Sequence, residues 1–184
     1  MGKQYKAFTN QDIDFIKKQK LFYIASCSGQ EVNLSPKGYD SIRVLDKSTL
    51  LYLDFPGSGS RTYRDAMAGG EFTLVFNAFS GPPMILRVFC KAEALEKDDA
   101  RFEGYLSHFG IDGSYIRQLF VFDVYAVESS CGMSVPHMKY EKERNSLKKW
   151  AKNLAEDGSL QNYIDDHKVP PSLQDLDTID DTLS

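Results

Sequence analysis

The alternation of apolar and polar positions divides this chain into a run of strands with helices set between and after them. Residues 9–18 are expected to be helical. Ile13 and Ile16 share a face with Phe15 beside it, and Thr9 with Asp12 three residues on makes a partial capping box. Residues 21–28 and 31–34 read as two strands about a Ser-Gly-Gln turn in which Gly29 is the permissive residue. Val32 and Leu34 alternate with polar neighbours, which turns Asn33 and Ser35 away from the core or into a ligand cleft. Residues 41–45 form a short strand, Asp46-Lys47-Ser48 a turn, and residues 49–55, with the run Leu50-Leu51-Tyr52-Leu53, a strong strand. Residues 60–67 have helical character and end at Gly69-Gly70, a C-cap. Two further strands, 72–79 and 84–95, flank Ser80-Gly81-Pro82-Pro83, whose prolines stop the first of them. Phe102, Tyr105, Leu106 and Phe109 give residues 97–109 helical spacing. A long apolar strand follows over 118–127, is broken at 129–133 and resumes over 135–140. Residues 141–154 make a charged amphipathic helix with Leu147, Trp150, Ala151 and Leu154 on its apolar face, and 159–167 a shorter one. From Pro170 the chain is acidic, with Asp175, Asp177, Asp180 and Asp181, and is expected to run over the surface.

The count is six or seven strands, mostly successive, and three to five helices. That pattern predicts a mainly β protein with peripheral helices, an antiparallel barrel rather than an alternating parallel sheet. The 184 residues suit one domain: a barrel over residues 1–140, with a helical extension and acidic tail over 141–184 packed on it. Phe72, Phe76, Phe79, Phe89, Phe120, Phe122 and Tyr125 exceed what a small barrel interior should hold, so some are expected to cover helices or face a partner.

Composition narrows the function classes. Hydrophobic residues at 42% and charged residues at 26% fit a globular core, and a net charge of −4 argues against nonspecific nucleic-acid binding. No apolar run approaches the length of a membrane span, the first residues lack the apolar stretch of a secretory signal, and Lys6 stands where a myristoylation motif wants Ser or Thr. The three cysteines, Cys27, Cys90 and Cys131, form no C-x-x-C pair, which favours unpaired thiols in a reducing compartment, cytoplasmic or nuclear. Cys131 alone lies in a loop-like setting, Ser129-Ser130-Cys131-Gly132-Met133, and reads as a structural turn thiol before a reactive one.

Candidate chemistry concentrates in two turns. Asn33-Leu34-Ser35-Pro36-Lys37-Gly38 precedes one strand, and Pro56-Gly57-Ser58-Gly59-Ser60-Arg61-Thr62-Tyr63-Arg64 follows it. Together they can present hydroxyls, backbone N–H groups and cations to one anion. Glycine turns and helix starts favour a phosphate, and Arg or Lys adds charge-assisted hydrogen bonds, although each turn alone is an ordinary surface turn. The nucleophile elbow G-x-S-x-G, a Walker A motif and a G-x-G-x-x-G after a strand are all absent from the sequence. His108, His137 and His167 have no metal-ligand spacing.

Those two turns, with Leu51-Tyr52-Leu53-Asp54, Gly81-Pro82-Pro83-Met84-Ile85-Leu86-Arg87 and Ser130-Cys131-Gly132-Met133-Ser134-Val135-Pro136, carry a resemblance that extends through Arg144, Trp150 and Leu173. The chain resembles the pyridoxamine 5′-phosphate oxidase-like FMN-binding split-barrel family, and most of all an oxidase-related subgroup without an assigned substrate. The resemblance implies a split β-barrel homodimer with FMN in a cleft between subunits. Ser35, Pro36, Lys37 and Gly38 would lie along the flavin, Leu53 and Asp54 on the next strand, and Ser60, Arg61 and Thr62 at the phosphate. Arg87 would flank the cofactor or be an outward barrel-strand charge.

The sequence departs from authentic oxidases. Asn33 replaces the arginine of R-x-V-x-x-K and Lys37 comes one position early. Arg61-Thr62 replaces Arg-Lys, Ile85 replaces a glutamine, and the C-terminal R-x-H pattern is missing. The expectation is an FMN-dependent oxidoreductase acting on a small-molecule substrate or electron donor other than pyridoxamine phosphate. The alternatives are a non-catalytic flavin- or haem-binding protein of the same fold, and an interaction domain that has lost its cofactor.

Overall fold

In the computed structural model, which describes residues 2–29 and 31–171, one antiparallel sheet curls round a phenylalanine-rich interior. Its strands are β1 (Lys3–Tyr5), β2 (Phe22–Cys27), β3 (Asn33–Lys37), β4 (Ile42–Val44), β5 (Thr49–Asp54), β6 (Glu71–Asn77), β7 (Ile85–Leu95) and β8 (Gln118–Ser130). They are ordered β3-β2-β6-β7-β8-β5-β4, with β1 paired to the far half of β8. The edges of the sheet are β3 and β4, which the short connection over residues 38–41 joins. The barrel is therefore split between them. The helices are α1 (Asn10–Lys18), α2 (Arg61–Met67), α3 (Phe102–Leu106), α4 (Ser146–Glu156) and α5 (Leu160–Asp166), with single 3-10 turns at Ser107–Phe109 and Gly113–Tyr115. No helix among the described residues is long and apolar enough to cross a membrane.

The interior is built by alternation. Phe22 and Ile24 of β2, Phe72, Leu74 and Phe76 of β6, Leu86 and Val88 of β7, and Phe120 and Phe122 of β8 point inward and are buried. Phe22 stacks on Phe76 with ring centroids 5.5 Å apart, and Phe120 on Phe122 at 6.2 Å. Each such side chain contributes about 1.5–3 kcal/mol by leaving water. Of the aromatic residues expected to exceed the barrel interior, Phe72, Phe76, Phe120 and Phe122 fill it, while Phe79 and Phe89 are half-buried and Tyr125 is exposed, at 50%. The run Leu50-Leu51-Tyr52-Leu53 does not alternate in polarity because β5 is buried on both faces. Leu50 and Tyr52 face the barrel interior. Leu51 and Leu53 enter a second cluster with Leu95, Phe102, Leu106, Phe109, Leu119 and Ala151, which α3, the 3-10 turns and α4 cover.

At α1 the capping box is complete. The Thr9 hydroxyl accepts from the Asp12 N–H at 3.2 Å, and the Asp12 carboxylate accepts from the Thr9 N–H at 2.8 Å. Asp12 also accepts from the Tyr5 hydroxyl at 2.8 Å, tying α1 to β1, a strand the sequence pattern did not reveal. The helix expected over 97–109 contracts to α3 and one 3-10 turn. Asp99 takes the Arg101 N–H on its side chain at 2.8 Å, a local bond that competes with helix. β8 runs through Ser129 and Ser130 because both pair with β7, and no strand forms over 135–140. Residues 141–145 precede α4 rather than belonging to it.

One correction reaches the site. β3 spans Asn33–Lys37 rather than 31–34, and its register on β2 pairs Ser26 with Asn33, Ile24 with Ser35 and Phe22 with Lys37. Those polar side chains therefore share the inward face, while Val32 and Leu34 point outward at 70% and 63% exposure. Pro36 is tolerated because β3 is an edge. The expected acidic tail with Asp175, Asp177, Asp180 and Asp181, together with Leu173, lies outside the described residues.

Candidate functional site: the cleft at the split of the barrel

Where β3 and β5 face each other across the split, a cleft of about 340 Å³ opens. β3 contributes Asn33, Ser35 and Lys37, and β5 contributes Tyr52 and Asp54. The turn over residues 56–59, the first two residues of α2, Arg61 and Thr62, and the side chains of Tyr39, Phe55 and Leu147 of α4 complete the lining, with Lys148 Nζ 4.4 Å from the centre of the Tyr39 ring and 5.6 Å from that of Phe55. The volume and the mixture of aromatic and cationic side chains suit a small-molecule site.

Asp54 is the anchor of this geometry. It is buried and accepts hydrogen bonds from Arg117 Nε at 2.8 Å, Gln118 Nε2 at 3.0 Å and the Tyr52 hydroxyl at 3.1 Å. Arg117 in turn donates to the carbonyls of Gly57 and Gly59, at 3.3 and 3.1 Å. One buried ion pair thereby holds the glycine turn against the end of β5. Burial, reinforced by the Asp54 charge, pushes the Tyr52 phenol well above its ordinary range.

Lys37 lies across from that pair. Its Nζ sits 5.4 Å from the centre of the Tyr52 ring and makes no hydrogen bond among the described residues. Burial holds its pKa below the usual lysine value, with Asp54 opposing that shift. Asn33 bridges β3 to α2, donating to Ser26 at 3.1 Å and Thr62 at 3.2 Å, and Ser26 donates to the buried Asp65 at 2.6 Å. Arg61 donates from Nε to Glu31 at 3.1 Å and from Nη2 to the Pro171 carbonyl at 2.9 Å. Tyr39 has a left-handed backbone, φ 62°, a conformation that costs a side-chain-bearing residue roughly 1–3 kcal/mol. It is held there by its hydroxyl on the Arg144 carbonyl and its ring 5.3 Å from Phe55. Among the described residues no cluster of three or more His, Cys, Asp or Glu could hold a metal ion.

No family model matches the chain. A curated relative does: the pyridoxamine 5′-phosphate oxidase family protein ustO of Aspergillus flavus is 30% identical over 177 residues, covering 92% of this chain and 71% of that protein. The chain belongs to the pyridoxamine 5′-phosphate oxidase family. Solved structures agree on the fold. A candidate pyridoxamine 5′-phosphate oxidase of Lactobacillus delbrueckii matches 67% of this chain and 98% of its own at 22% identity and a TM-score of 0.51. HupZ of Group A Streptococcus matches 65% of this chain and 91% of its own at 20% identity and a TM-score of 0.52.

Of the residues carried over from the family pattern, Ser35, Lys37, Gly38, Asp54, Arg61 and Thr62 line the cleft. The other four do not. Pro36 points to the outer face, one residue out of phase with Ser35 and Lys37. Leu53 is buried in the second core cluster. Ser60 donates its hydroxyl to the His167 carbonyl and lines a smaller cavity of about 280 Å³ on the far side of the turn. Arg87 takes the outward alternative, donating to Glu128 at 3.3 Å and Ser130 at 3.0 Å. The sequence reading missed Arg117, Tyr39, Phe55 and Glu31. Arg117 carries no local signal, since it meets Asp54 across 63 positions of chain. Tyr52 was within reach, as it falls in step with Asp54 on one face of β5.

Proposed function

We propose that this protein binds FMN in the cleft and acts as an FMN-dependent oxidoreductase on a small molecule. The observation that carries the reading is the presence, in one cleft of a family split barrel, of aromatic side chains beside cations, among them Lys37, whose Nζ lies over the Tyr52 ring and makes no hydrogen bond among the described residues. The residues fit the cofactor. Tyr39, Phe55 and Leu147 offer apolar surface to a planar ring system, and Thr62 and Arg61 offer a hydroxyl and remaining guanidinium N–H groups to a phosphate. Bound flavin would supply hydride or electron transfer. The chain's own contribution is to orient and shield. Asp54 and Arg117 hold the glycine turn rigid, Lys37 sets a positive potential beside the ring site, and the covered β5 wall keeps water from that side.

A second reading is favoured by one observation. The carboxylate among the cleft-lining residues, Asp54, is committed to three protein donors, Arg117, Gln118 and Tyr52, and so serves to hold the cleft together. A flavin-carrying protein without turnover fits that as well. Homodimerisation belongs to the same proposal. On the outer sheet face the register aligns Leu34, Ala25, Thr73, Phe89 and Ala126 in one row, next to a row of Pro36, Tyr23, Val75 and the paired Arg87 and Glu128. With Leu34 and Val32 exposed, that face suits a second copy of the chain.

Absorption spectroscopy tests the reading. Purified protein titrated with FMN should show a perturbed flavin band and quenched fluorescence at stoichiometric loading. Bleaching by an electron donor and recovery in air would assign turnover. Absence of any flavin binding would refute the proposal, and binding without reoxidation under any donor would favour the carrier.

A further inference from the structure

Arg61, the cleft's candidate for an anion, does not meet that anion as an unopposed charge. Glu31, on the turn between β2 and β3, reaches across to it, and the same Oε1 accepts from Arg61 Nε at 3.1 Å and from Arg64 Nη1 at 2.5 Å. Arg64 has a second acid, Asp65, which accepts from its Nε and Nη2 at 3.0 and 2.9 Å. Two arginines thus face two carboxylates, and the group is formally neutral. The two acids are not equivalent. Asp65 is fully buried and is fixed by the hydroxyls of Ser26, at 2.6 Å, and Ser28, at 2.7 Å. Glu31 has a side chain 19% exposed and follows Gly29, whose φ is 96°, two residues earlier on the surface turn. When Arg61 leaves it, Glu31 keeps Arg64, and Arg61, whose side chain is 27% exposed, keeps the Pro171 carbonyl, so no buried charge is stranded.

We propose that Glu31 is an internal competitor for the anionic end of the cleft's ligand. A phosphate monoester takes Arg61 from Glu31, which stays on Arg64. The cleft thereby selects a dianion, strong enough to displace a carboxylate, over weaker anions and over the same molecule lacking phosphate. The competition does not fade near neutral pH, since the Arg64 hydrogen bond, with Arg61 assisting, holds Glu31 down to about 2. Only the choice of flavin as probe rests on the functional reading above; the contest for Arg61 does not.

The test titrates inorganic phosphate, FMN and riboflavin separately into the wild-type chain, Glu31→Gln and Glu31→Asp. Removing one charge a few ångströms from the anion should tighten phosphate and FMN about tenfold in Glu31→Gln, as expected for a partly screened pair. Riboflavin should change less than twofold, and Glu31→Asp, which keeps the charge, should stay near wild type. Phosphate and FMN affinities that are unchanged or weakened in Glu31→Gln would overturn the proposal, weakening being the signature of a residue that orients Arg61. The two readings fail separately. Phosphate that tightens in a protein to which no flavin binds would uphold the competitor and refute the flavin site. FMN that binds wild type and Glu31→Gln equally would do the reverse.

Discussion

Replacing Asp54 by alanine is the most severe single perturbation the cleft allows. The side chains of Arg117 and Asp54 are 9% and 4% exposed, so their ion pair is largely out of water. Deleting the carboxylate leaves the guanidinium buried without a counter-charge, which costs about 3–5 kcal/mol. Gln118 and Tyr52 lose an acceptor as well, and water entering from the cleft offsets part of that loss. For a chain of this length each kcal/mol moves the melting temperature by about 2–4 °C, so Asp54→Ala should melt roughly 6–20 °C lower. Arg117→Met should be comparably destabilised, because it strands the buried acid instead. The double variant strands neither charge and should lose at least about 2 kcal/mol less than the sum of the singles. Thermal and urea unfolding of the four proteins completes the cycle. Additive losses, or an Asp54→Ala protein that melts within a degree or two of wild type, would refute the claim that this pair anchors the turn.

Arg61→Ala should weaken FMN by about 2 kcal/mol, at the low end for a charge-assisted contact because Glu31 already occupies the arginine, and leave riboflavin unaffected; isothermal titration distinguishes the two. Lys37 carries a pH signature. Its folded pKa lies below 10.5, so between the two values the unfolded chain binds more protons and stability rises with pH. Lys37→Met should be more stable than wild type at neutral pH, with the gap closing as pH approaches 10.5, read from denaturant midpoints across the alkaline range. Leu34→Glu on the outer sheet face should yield a monomer by light scattering if that face meets a second copy. Pyridoxamine phosphate should not be turned over, since the family's R-x-H pattern is missing; pyridoxal phosphate formed at a rate typical of an authentic oxidase would refute this.

The elements with strong local periodicity were legible without a structure. The capping box at Thr9, the apolar runs of β2, β5, β6 and β8, and the amphipathic face of α4 each follow from residues within a few positions of one another. So did the two segments rich in hydroxyls and cations, which line one cleft, although the first of them is the edge strand β3 and not a turn. What the chain could not state locally was direction and partnership. β5 is apolar on both faces, so its pattern is silent on whether Leu53 or Tyr52 meets the cleft; only α3 and α4 covering the outer side decide that Leu53 is core. β3 is an edge whose inward residues are the polar ones, because the cleft and not the core lies beneath them, and Val32 and Leu34 mislead for that reason. Arg117 reaches Asp54 over 63 positions and Glu31 reaches Arg61 over 30. Such charge pairs arise from the curl of the sheet, since a carboxylate and a guanidinium leave no periodic trace of which opposite charge they will meet when the barrel closes.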